Sequence, residues 1–399
     1  MKKGYKGYVS YEYLEKQKDY KNFELAQEID RVEPYLIPLT AEEEKRAEEI
    51  IHKNLIISLH DHPSITPHDA KELMDYEREG REATAFLGLA HSCLDAVFDN
   101  MMDGTCVIGS KAGWKWNDVI HDMGVRSCDI AHQDFLVKAQ NVNDIYEAKK
   151  NGKIAWFISL ESSTMIENEL DRIEILYGLG CRMMGITYSE SNSLGYGLKE
   201  KNDGGLTSFG HRAVERMNKV GMAIDVSHCG DKTAMDVIKI SKKPVFITHI
   251  GARSLWNIKR LKPDDVLKAC ADAGGVIGIE AAPHTTITKK NKRHNIESYM
   301  EHFEYIKDLT GIDNVAFGPD TLFGDHVGLH NLFSNNMSIE ENRIGEEYEH
   351  VEYVKGLENP AEASLNIVRW LVKHKYPDED IKKVLGENII RVLRENWTT

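Results

Sequence analysis

Short apolar runs of strand length alternate with longer segments of helical periodicity along most of the chain. Eight runs are interpreted as strands, at residues 55–62, 85–90, 155–161, 182–188, 222–228, 244–249, 276–280 and 315–320. Charged segments with apolar residues three or four positions apart separate most of them, which is typical of helices. Strands and helices that alternate in this number predict an α/β fold of the (β/α)8 TIM-barrel type.

Two parts of the chain depart from this alternation. Residues 1–50 are rich in Lys, Glu and Tyr and contain two prolines, and Thr40 with three glutamates close behind it is typical of a capped helix start. We therefore expect an N-terminal helical extension over residues 1–50, followed by the barrel domain over residues 51–399. The irregular passage within residues 82–150 is longer than an ordinary loop, so it should contain helices of its own or cover an active site.

Four histidines and one glutamate stand at the ends of predicted strands: His60, His62, Glu161, His228 and His249. Because successive side chains of a strand point to opposite faces, His60 and His62 leave their strand on the same side. Neutral imidazole and carboxylate suit zinc, and barrel enzymes take their catalytic residues from the carboxyl ends of several strands. A single such histidine is more often a surface or hydrogen-bonded residue, but the set of five predicts a metal site.

Composition limits the partners of the protein. The formal net charge of -14 over 399 residues argues against nucleic acid or an anionic membrane, and no apolar run approaches the length of a membrane span. The six cysteines are scattered, with no CxxC pair and no secretory signal before them, which favours reduced thiols in a cytoplasm. We expect a soluble, cytoplasmic homo-oligomer that acts on a small-molecule substrate.

Three further residues have both a structural and a functional interpretation. Cys229 is next to His228 and suggests nucleophilic catalysis, but strand alternation points it away from the ligand face, so a structural role is favoured. His326 and His330 lie in the sequence GDHVGLH, where a loop role is favoured over a metal site because no partner ligand is evident.

Six spaced motifs follow one another along the chain. They are ISLESSTMIENEL from residue 158, LYGLGCRM from 176, GLTSFGHRAV from 205, IDVSH from 224, PVFITH from 244 and VLGENIIRV from 384. In this order they resemble the membrane (renal) dipeptidase family, which is peptidase family M19 of the metal-dependent amidohydrolase superfamily. The resemblance extends from about residue 56 to the end and is weakest between residues 82 and 150.

The resemblance implies a barrel that holds two divalent metal ions, usually zinc, with a glutamate and a water or hydroxide between them. By motif, Glu161 would be the bridging carboxylate. His60 and His62 would hold one metal, and His228 and His249 the other. Metal pairs of this kind lie ~3.5–4 Å apart and lower the pKa of bound water to roughly 7. The implied reaction is hydrolysis of the amide bond of dipeptides or dipeptide-like molecules by a metal-bound hydroxide.

Three residues would contact that substrate. Arg260 matches a family arginine that holds the terminal carboxylate of the dipeptide. Asp320 matches an aspartate that receives the substrate amino group and handles the proton passed to the leaving amine. Tyr188 stands where the family usually has a histidine that polarises the carbonyl, so it would steady the oxyanion. A structural alternative stays open for three residues: Arg260 as an ordinary surface base, Asp320 as a turn residue before Thr321, and Glu161 as a cap of the following helix.

The chain departs from the family pattern within the site. It has HDH at residues 60–62 where the family usually has His-x-Asp, and it has Ala281 and Ala282 where the family has a tyrosine. His-x-His is common in the wider superfamily, so the metal site would survive with one negative charge fewer. Two alternatives stay open: an amidohydrolase that acts on a different small amide or lactam, and a catalytically silent barrel that binds a metal or metabolite.

Overall fold

A curled sheet of mostly parallel strands lies at the centre of the computed structural model, which describes residues 2, 4–101, 115–336 and 348–397. In chain order the strands are β1 (Ile57–Ile65), β2 (Ala83–Thr84), β3 (Ala96–Met101), β4 (Leu136–Lys138), β5 (Ile154–Leu160), β6 (Cys181–Gly185), β7 (Ala223–Asp225), β8 (Phe246–Ile250), β9 (Val276–Ile279), β10 (Val315–Phe317) and β11 (Leu322–Phe323).

Helices precede, separate and follow these strands. The described α-helices are α1 (Ala41–Lys53), α2 (Leu73–Glu79), α3 (Phe86–His91), α4 (Trp116–Ala131), α5 (Val142–Lys150), α6 (Asp171–Gly178), α7 (Ser208–Val220), α8 (Asp231–Ile240), α9 (Asp264–Asp272), α10 (Ile296–Thr310), α11 (His326–Asn336), α12 (Pro360–Lys373), α13 (Asp378–Lys382) and α14 (Asn388–Asn396). None of these helices has both the length and the apolar character needed to cross a membrane.

Parallel pairing gathers the carboxyl ends of the strands at one end of the sheet. Eight strands pair in the order β10-β9-β8-β7-β6-β5-β3-β1, while β4 pairs with β5, and β2 and β11 pair with β1. The segment after β10 returns to β1, because the backbone N–H of Asp320 donates to the carbonyl of His60 (2.9 Å) and that of His62 donates to the carbonyl of Thr321 (2.8 Å). The curl therefore places side chains from many strand ends around one site.

Apolar side chains cover both faces of the sheet, which is why its strands are nearly continuous hydrophobic runs in the sequence. On the inner face, the rings of Phe98 and Phe157 stack with 4.8 Å between their centroids, and Trp397 lies 5.1 Å from Phe157. Trp156 and Ile158 belong to the larger cluster on the other face. The inner cluster forms an apolar base beneath the polar strand ends.

Two strands contain an extra residue close to the predicted ligands. Between Ser58 and Asp61, β1 is one residue longer than the matching stretch of β3, and β8 has the same irregularity around His249 opposite β9. Such β-bulges interrupt strict alternation and redirect side chains, often beside active sites. His60 and His249 lie within these bulges, and both are fully buried.

The prediction of a strand at residues 85–90 is wrong. The chain forms α3 there, with Phe86, Leu89 and Ala90 buried, because a short apolar run fits a buried helix as well as a buried strand. The missing strand is β3, inside the passage predicted to be irregular. Its apolar pattern is broken by Asp99, which is buried with a partner, since Arg126 donates to its carboxylate.

The other seven predicted strands are confirmed, although β6, β7 and β10 each end three residues before the predicted run does. Helix α1 begins after Thr40, which forms a capping box with Glu43. The described residues before Thr40 contain turns and isolated bridges and no helix, so the helical part of the predicted extension is α1, which crosses residue 50. Within residues 82–150, α4 confirms that the passage has helices of its own, while residues 102–114, with Cys106, lie outside the described part of the chain.

Candidate metal centre

All five predicted metal ligands meet at the carboxyl ends of the strands, and Asp320 joins them. Every one of the six is buried. Their ligand atoms form three overlapping groups, each within 4.8 Å: His60, His62 and Glu161; His60, His249 and Asp320; and Glu161, His228 and His249. The six side chains come from five different strands or strand ends of the sheet, so the curl of the sheet builds the cluster.

Glu161 has the central position in this cluster. Its Oε1 lies 2.9 Å from Nε2 of His228, 3.3 Å from Nε2 of His249 and 3.7 Å from Nε2 of His60. The backbone of Glu161 is packed tightly against Gly185 at the end of β6, where a Cβ would come within 2.1 Å of the Glu161 carbonyl oxygen. Glu161 therefore lies between the histidines of the two predicted metal positions, where a bridging carboxylate would lie.

The hydrogen bonds of His62 determine which of its ring nitrogens can bind a metal. Nδ1 lies 2.9 Å from the backbone carbonyl of Asn100, which can only accept, so Nδ1 carries the proton in the neutral ring. Nε2 then presents a lone pair, and it lies 3.2 Å from Oδ1 of Asp320. A lone pair that faces a carboxylate oxygen is repulsive unless a proton or a cation lies between them.

His249 and His228 are oriented in a similar way. Nδ1 of His249 contacts the Thr248 hydroxyl (2.8 Å), Nδ1 of His228 contacts the Ser189 hydroxyl (3.4 Å), and the two Nε2 atoms lie 2.9 Å apart. Partners of this kind on the outer nitrogen fix the orientation of metal-binding histidines. The donor set, two converging imidazoles beside a carboxylate, suits a divalent metal such as zinc.

Burial sets the protonation states of the cluster. Desolvation lowers the pKa of His60, His228 and His249, so these rings are neutral and can act as ligands. Burial alone would raise the pKa of Asp320, but its interactions with His60 and with the other histidines outweigh this and hold the pKa well below its usual range. When the imidazoles are neutral ligands, the positive charge that keeps Asp320 ionised would be supplied by a bound cation.

The three predicted substrate contacts border this cluster. The ring of Tyr188 stacks on His228 with 4.3 Å between centroids. Asp320 is closer than expected, with Oδ1 3.2 Å from Nε2 of His60 as well as of His62, so it is a candidate metal ligand in addition to its predicted role. Burial is the main cause that lowers the pKa of His228, and the positive charge of Arg260 is the second. The guanidinium of Arg260 is therefore near the cluster.

Two acidic residues that contribute to the site were missed in the sequence. The buried carboxylate of Glu280 forms an ion pair with Arg260. It ends the apolar run 276–280 as Glu161 ends its own run, and that signal was available in the sequence. Asp61 accepts from the backbone N–H (2.9 Å) and hydroxyl (2.8 Å) of Thr321, which anchors the loop that carries Asp320. Nothing in the sequence indicates the contact between Asp61 and Thr321.

Cys229, His326 and His330 lie near the site but outside the ligand cluster. Cys229 is buried, and burial raises the pKa of its thiol to about 11, which agrees with the structural role predicted for it. His326 and His330 belong to α11 and not to a loop, so that prediction is corrected. Their Nε2 atoms lie 2.9 Å apart on successive turns, and within the described residues they join no group of three potential metal ligands.

If His62 is a ligand, its replacement should weaken one metal position selectively. We expect His62→Ala to reduce the affinity of that metal by more than the roughly 10–100-fold that loss of an outer partner costs. His62→Asp should tighten the same position, because it restores a negative charge and an oxygen ligand that zinc accepts. Calorimetric metal titration measures both, with the exposed His211→Ala as control. Unchanged affinities in both variants would remove His62 from the ligand set.

Comparison with known proteins agrees with this geometry. Residues 46–332 match the family model described as membrane dipeptidase, peptidase family M19. Dipeptidase verJ from Clonostachys rogersoniana is 28% identical over 280 residues, which make up 69% of this chain and 63% of that protein. The chain thus spans less than two thirds of this relative.

Solved structures share the fold over most of the chain. An amidohydrolase from Pseudomonas aeruginosa is 26% identical with a TM-score of 0.71, and the match covers 88% of this chain and 99% of that one. A metallo peptidase from Rhodobacter sphaeroides, liganded with a phosphinate mimic of the dipeptide L-Ala-D-Ala, is 16% identical with a TM-score of 0.64, and that match covers 86% of this chain and 99% of the other. The second likeness concerns the fold alone.

Proposed function

Because the chain belongs to the membrane dipeptidase family, peptidase family M19, we propose that it is a metallo-dipeptidase that hydrolyses the amide bond of dipeptides or dipeptide-like small molecules. The observation that carries this proposal is the position of Glu161, whose Oε1 lies within 3.7 Å of Nε2 of His60, His228 and His249. A carboxylate that lies next to imidazoles of both predicted metal positions offers ligand types that a pair of divalent metals accepts.

The residues divide into two metal positions, for which we propose zinc. His60 and His62 would hold one ion, His228 and His249 the other, and Glu161 would bridge them. When bound, such ions polarise a carbonyl oxygen and activate water as a nucleophile at neutral pH. Asp320 supports the first position, since its carboxylate faces Nε2 of both histidines there.

The remaining polar groups would act on the substrate. The ionised carboxylate of Asp320 can receive the substrate amino group or accept a proton and return it to the leaving amine. The hydroxyl of Tyr188, whose ring is held against His228, would donate to the oxygen that becomes negative during attack. Arg260 would bind the end of the substrate that lies opposite its amino group. The apolar base of the sheet beneath these groups would keep water from approaching from below.

We propose further that the curled sheet is a complete (β/α)8 barrel over residues 51–399, preceded by the extension of residues 1–50. The backbone bonds between β1 and the segment after β10 support closure of the barrel. The five cysteines in the described residues are all free thiols, four of them buried, which supports the proposed cytoplasmic location. Assembly as a homo-oligomer stays a prediction.

A second candidate is hydrolysis of a different small amide or a lactam. The ion pair between Arg260 and Glu280 favours it, because an arginine already neutralised by a buried carboxylate attracts a substrate carboxylate less strongly. In addition, the buried Ala281 and Ala282 occupy the place where the family has a tyrosine.

Steady-state assays on the metal-loaded chain test the proposal. A panel of free dipeptides, dipeptide amides and cyclic amides, each assayed with zinc, manganese and cobalt, should show turnover of dipeptides that disappears after chelation and returns with added metal. Turnover of cyclic amides alone would favour the second candidate. Metal binding without turnover of any member would leave a catalytically silent barrel.

A further inference from the structure

The end of β9 places a second buried glutamate beside the candidate metal centre. Glu280 is completely buried and forms an ion pair with the guanidinium of Arg260. The hydroxyl of Thr285 lies 3.0 Å from Oε1 of Glu280 and can donate to it. The backbone N–H of Glu280 donates to the carbonyl of Ile250 at 3.1 Å. The carboxylate is therefore held in place from two sides, and its direction toward Arg260 is fixed.

Arg260 keeps donor capacity besides this pair. Its side chain is 11% exposed, and Nη1 is buried with no hydrogen-bond acceptor among the described residues. The positive charge of the same guanidinium helps to lower the pKa of His228 and, after burial and the charge of His60, that of His249, so this charge lies near the metal centre. Glu280 thus occupies one nitrogen of a guanidinium near the metal centre and leaves another available.

The charge of the pair decides what that guanidinium can hold. Arg260 and Glu280 together carry no net charge. A substrate carboxylate that binds Nη1 would place two carboxylates on one guanidinium in a buried environment, where like charges repel strongly. An uncharged amide or ester oxygen can accept the same hydrogen bond without that repulsion.

We propose that Glu280 is a specificity-determining residue that selects against a free carboxylate and favours substrates whose corresponding end is uncharged, such as an amide, an ester or a cyclic amide. This inference rests on the proposed function, because it concerns the substrate class of the same site. The glutamate acts through Arg260, and the contact with substrate is made by the guanidinium.

The ionisation of Glu280 gives the selection a pH dependence. Burial raises the pKa of Glu280 to about 7, against the opposing effect of Arg260; Asp320 raises it further, while Thr285 and Lys262 lower it. The carboxylate repels a substrate carboxylate above this pH and loses its charge below it. In the wild-type protein the ratio of kcat/KM for a free dipeptide to that for its amide should therefore rise as pH falls through about 7.

The test compares alanyl-alanine with alanyl-alanine amide on the metal-loaded full chain. Glu280→Gln should raise the ratio of kcat/KM, free acid over amide, by ~10-fold or more at pH 8, and the pH dependence of the ratio should flatten. Glu280→Asp keeps the charge and should keep the wild-type ratio. In an Arg260→Met background, Glu280→Gln should have no effect on the ratio, because the guanidinium that transmits it is gone.

A matched control and a direct binding measurement complete the experiment. Glu358 is another buried glutamate whose pKa is raised to about 7 and which pairs with an arginine, Arg31, so Glu358→Gln removes an equivalent pair elsewhere and should leave the ratio unchanged. Calorimetry with a phosphinate dipeptide mimic and its C-terminal amide should show the same preference as Kd values.

The outcomes separate the inference from the proposed function. A ratio within twofold of wild type in Glu280→Gln, or equal losses on both substrates, overturns the role of Glu280 while hydrolysis by the wild-type chain still supports the function. Failure of the wild-type chain to bind the mimic or to hydrolyse either substrate, with metal present, overturns both.

Discussion

Glu161→Gln should lower kcat/KM for dipeptides by about 10³-fold or more and leave the chain with fewer bound metal ions. The substitution preserves the shape of the side chain but replaces the carboxylate by a neutral amide, which bridges two cations poorly. Since Oε1 faces histidines of both metal positions, the loss should affect both rather than one. Kinetic assays together with elemental analysis of the same preparations measure the two effects.

The exposed Glu169→Gln, eight residues further along the chain, serves as the control and should behave like the wild-type protein. If Glu161→Gln retained full activity and a full complement of metal, Glu161 would be a structural residue. The central position of its carboxylate would then have no catalytic meaning, and the account of the site would fail.

Asp320→Asn should lower kcat by roughly 10²–10⁴-fold, which is the usual contribution of a positioned general acid or base. Unlike Glu161→Gln, it should leave the metal position formed by Glu161, His228 and His249 occupied, because Asp320 does not belong to that group. The asparagine keeps the size of the side chain but can neither take up a proton nor neutralise the cation beside His60 and His62.

Single-turnover measurements and metal analysis on Asp320→Asn separate these effects, with the exposed Asp313→Asn as control. A kcat within threefold of wild type would show that Asp320 neither transfers a proton nor supports the metal. Loss of all metal from the variant would show instead that the two positions are interdependent, contrary to the expected division.

The ligand residues could be predicted from the sequence because each stands at the end of an apolar run. Parallel strands have their carboxyl ends at the same end of the sheet. A polar residue at the carboxyl end of a strand is therefore brought to one site, regardless of where the helices between the strands begin and end. His60, His62, Glu161, His228 and His249 all follow this rule, and the structure brings them together. Glu280 follows the same rule and was available to the same argument.

Other features depend on contacts that the sequence does not reveal. The bulges around His60 and His249 exist only relative to the neighbouring strands, so no local pattern indicates them. Strand β3 was missed because Asp99 is satisfied by Arg126, which lies in a distant helix. Asp320 adopts a left-handed backbone conformation (φ 60°) that aims its side chain at the histidines. Aspartate tolerates this conformation, and nothing in the sequence around it predicts that it is adopted.

For Arg260, the resemblance predicted the functional residue but not the residues that surround it. The family motif assigned it to a substrate carboxylate, and the structure adds the buried partner Glu280. That partner comes from the following strand and changes the charge of the arginine's environment. The general position of the residue was therefore predictable, whereas its selectivity depends on a contact across the fold.

Elemental analysis of the purified chain measures whether these residues hold a pair of metal ions. We expect close to two divalent metal ions per chain, retained through desalting after incubation with zinc, because four imidazoles and a shared carboxylate form two adjoining positions. A chain that retains no metal after incubation with zinc, manganese or cobalt would contradict this expectation.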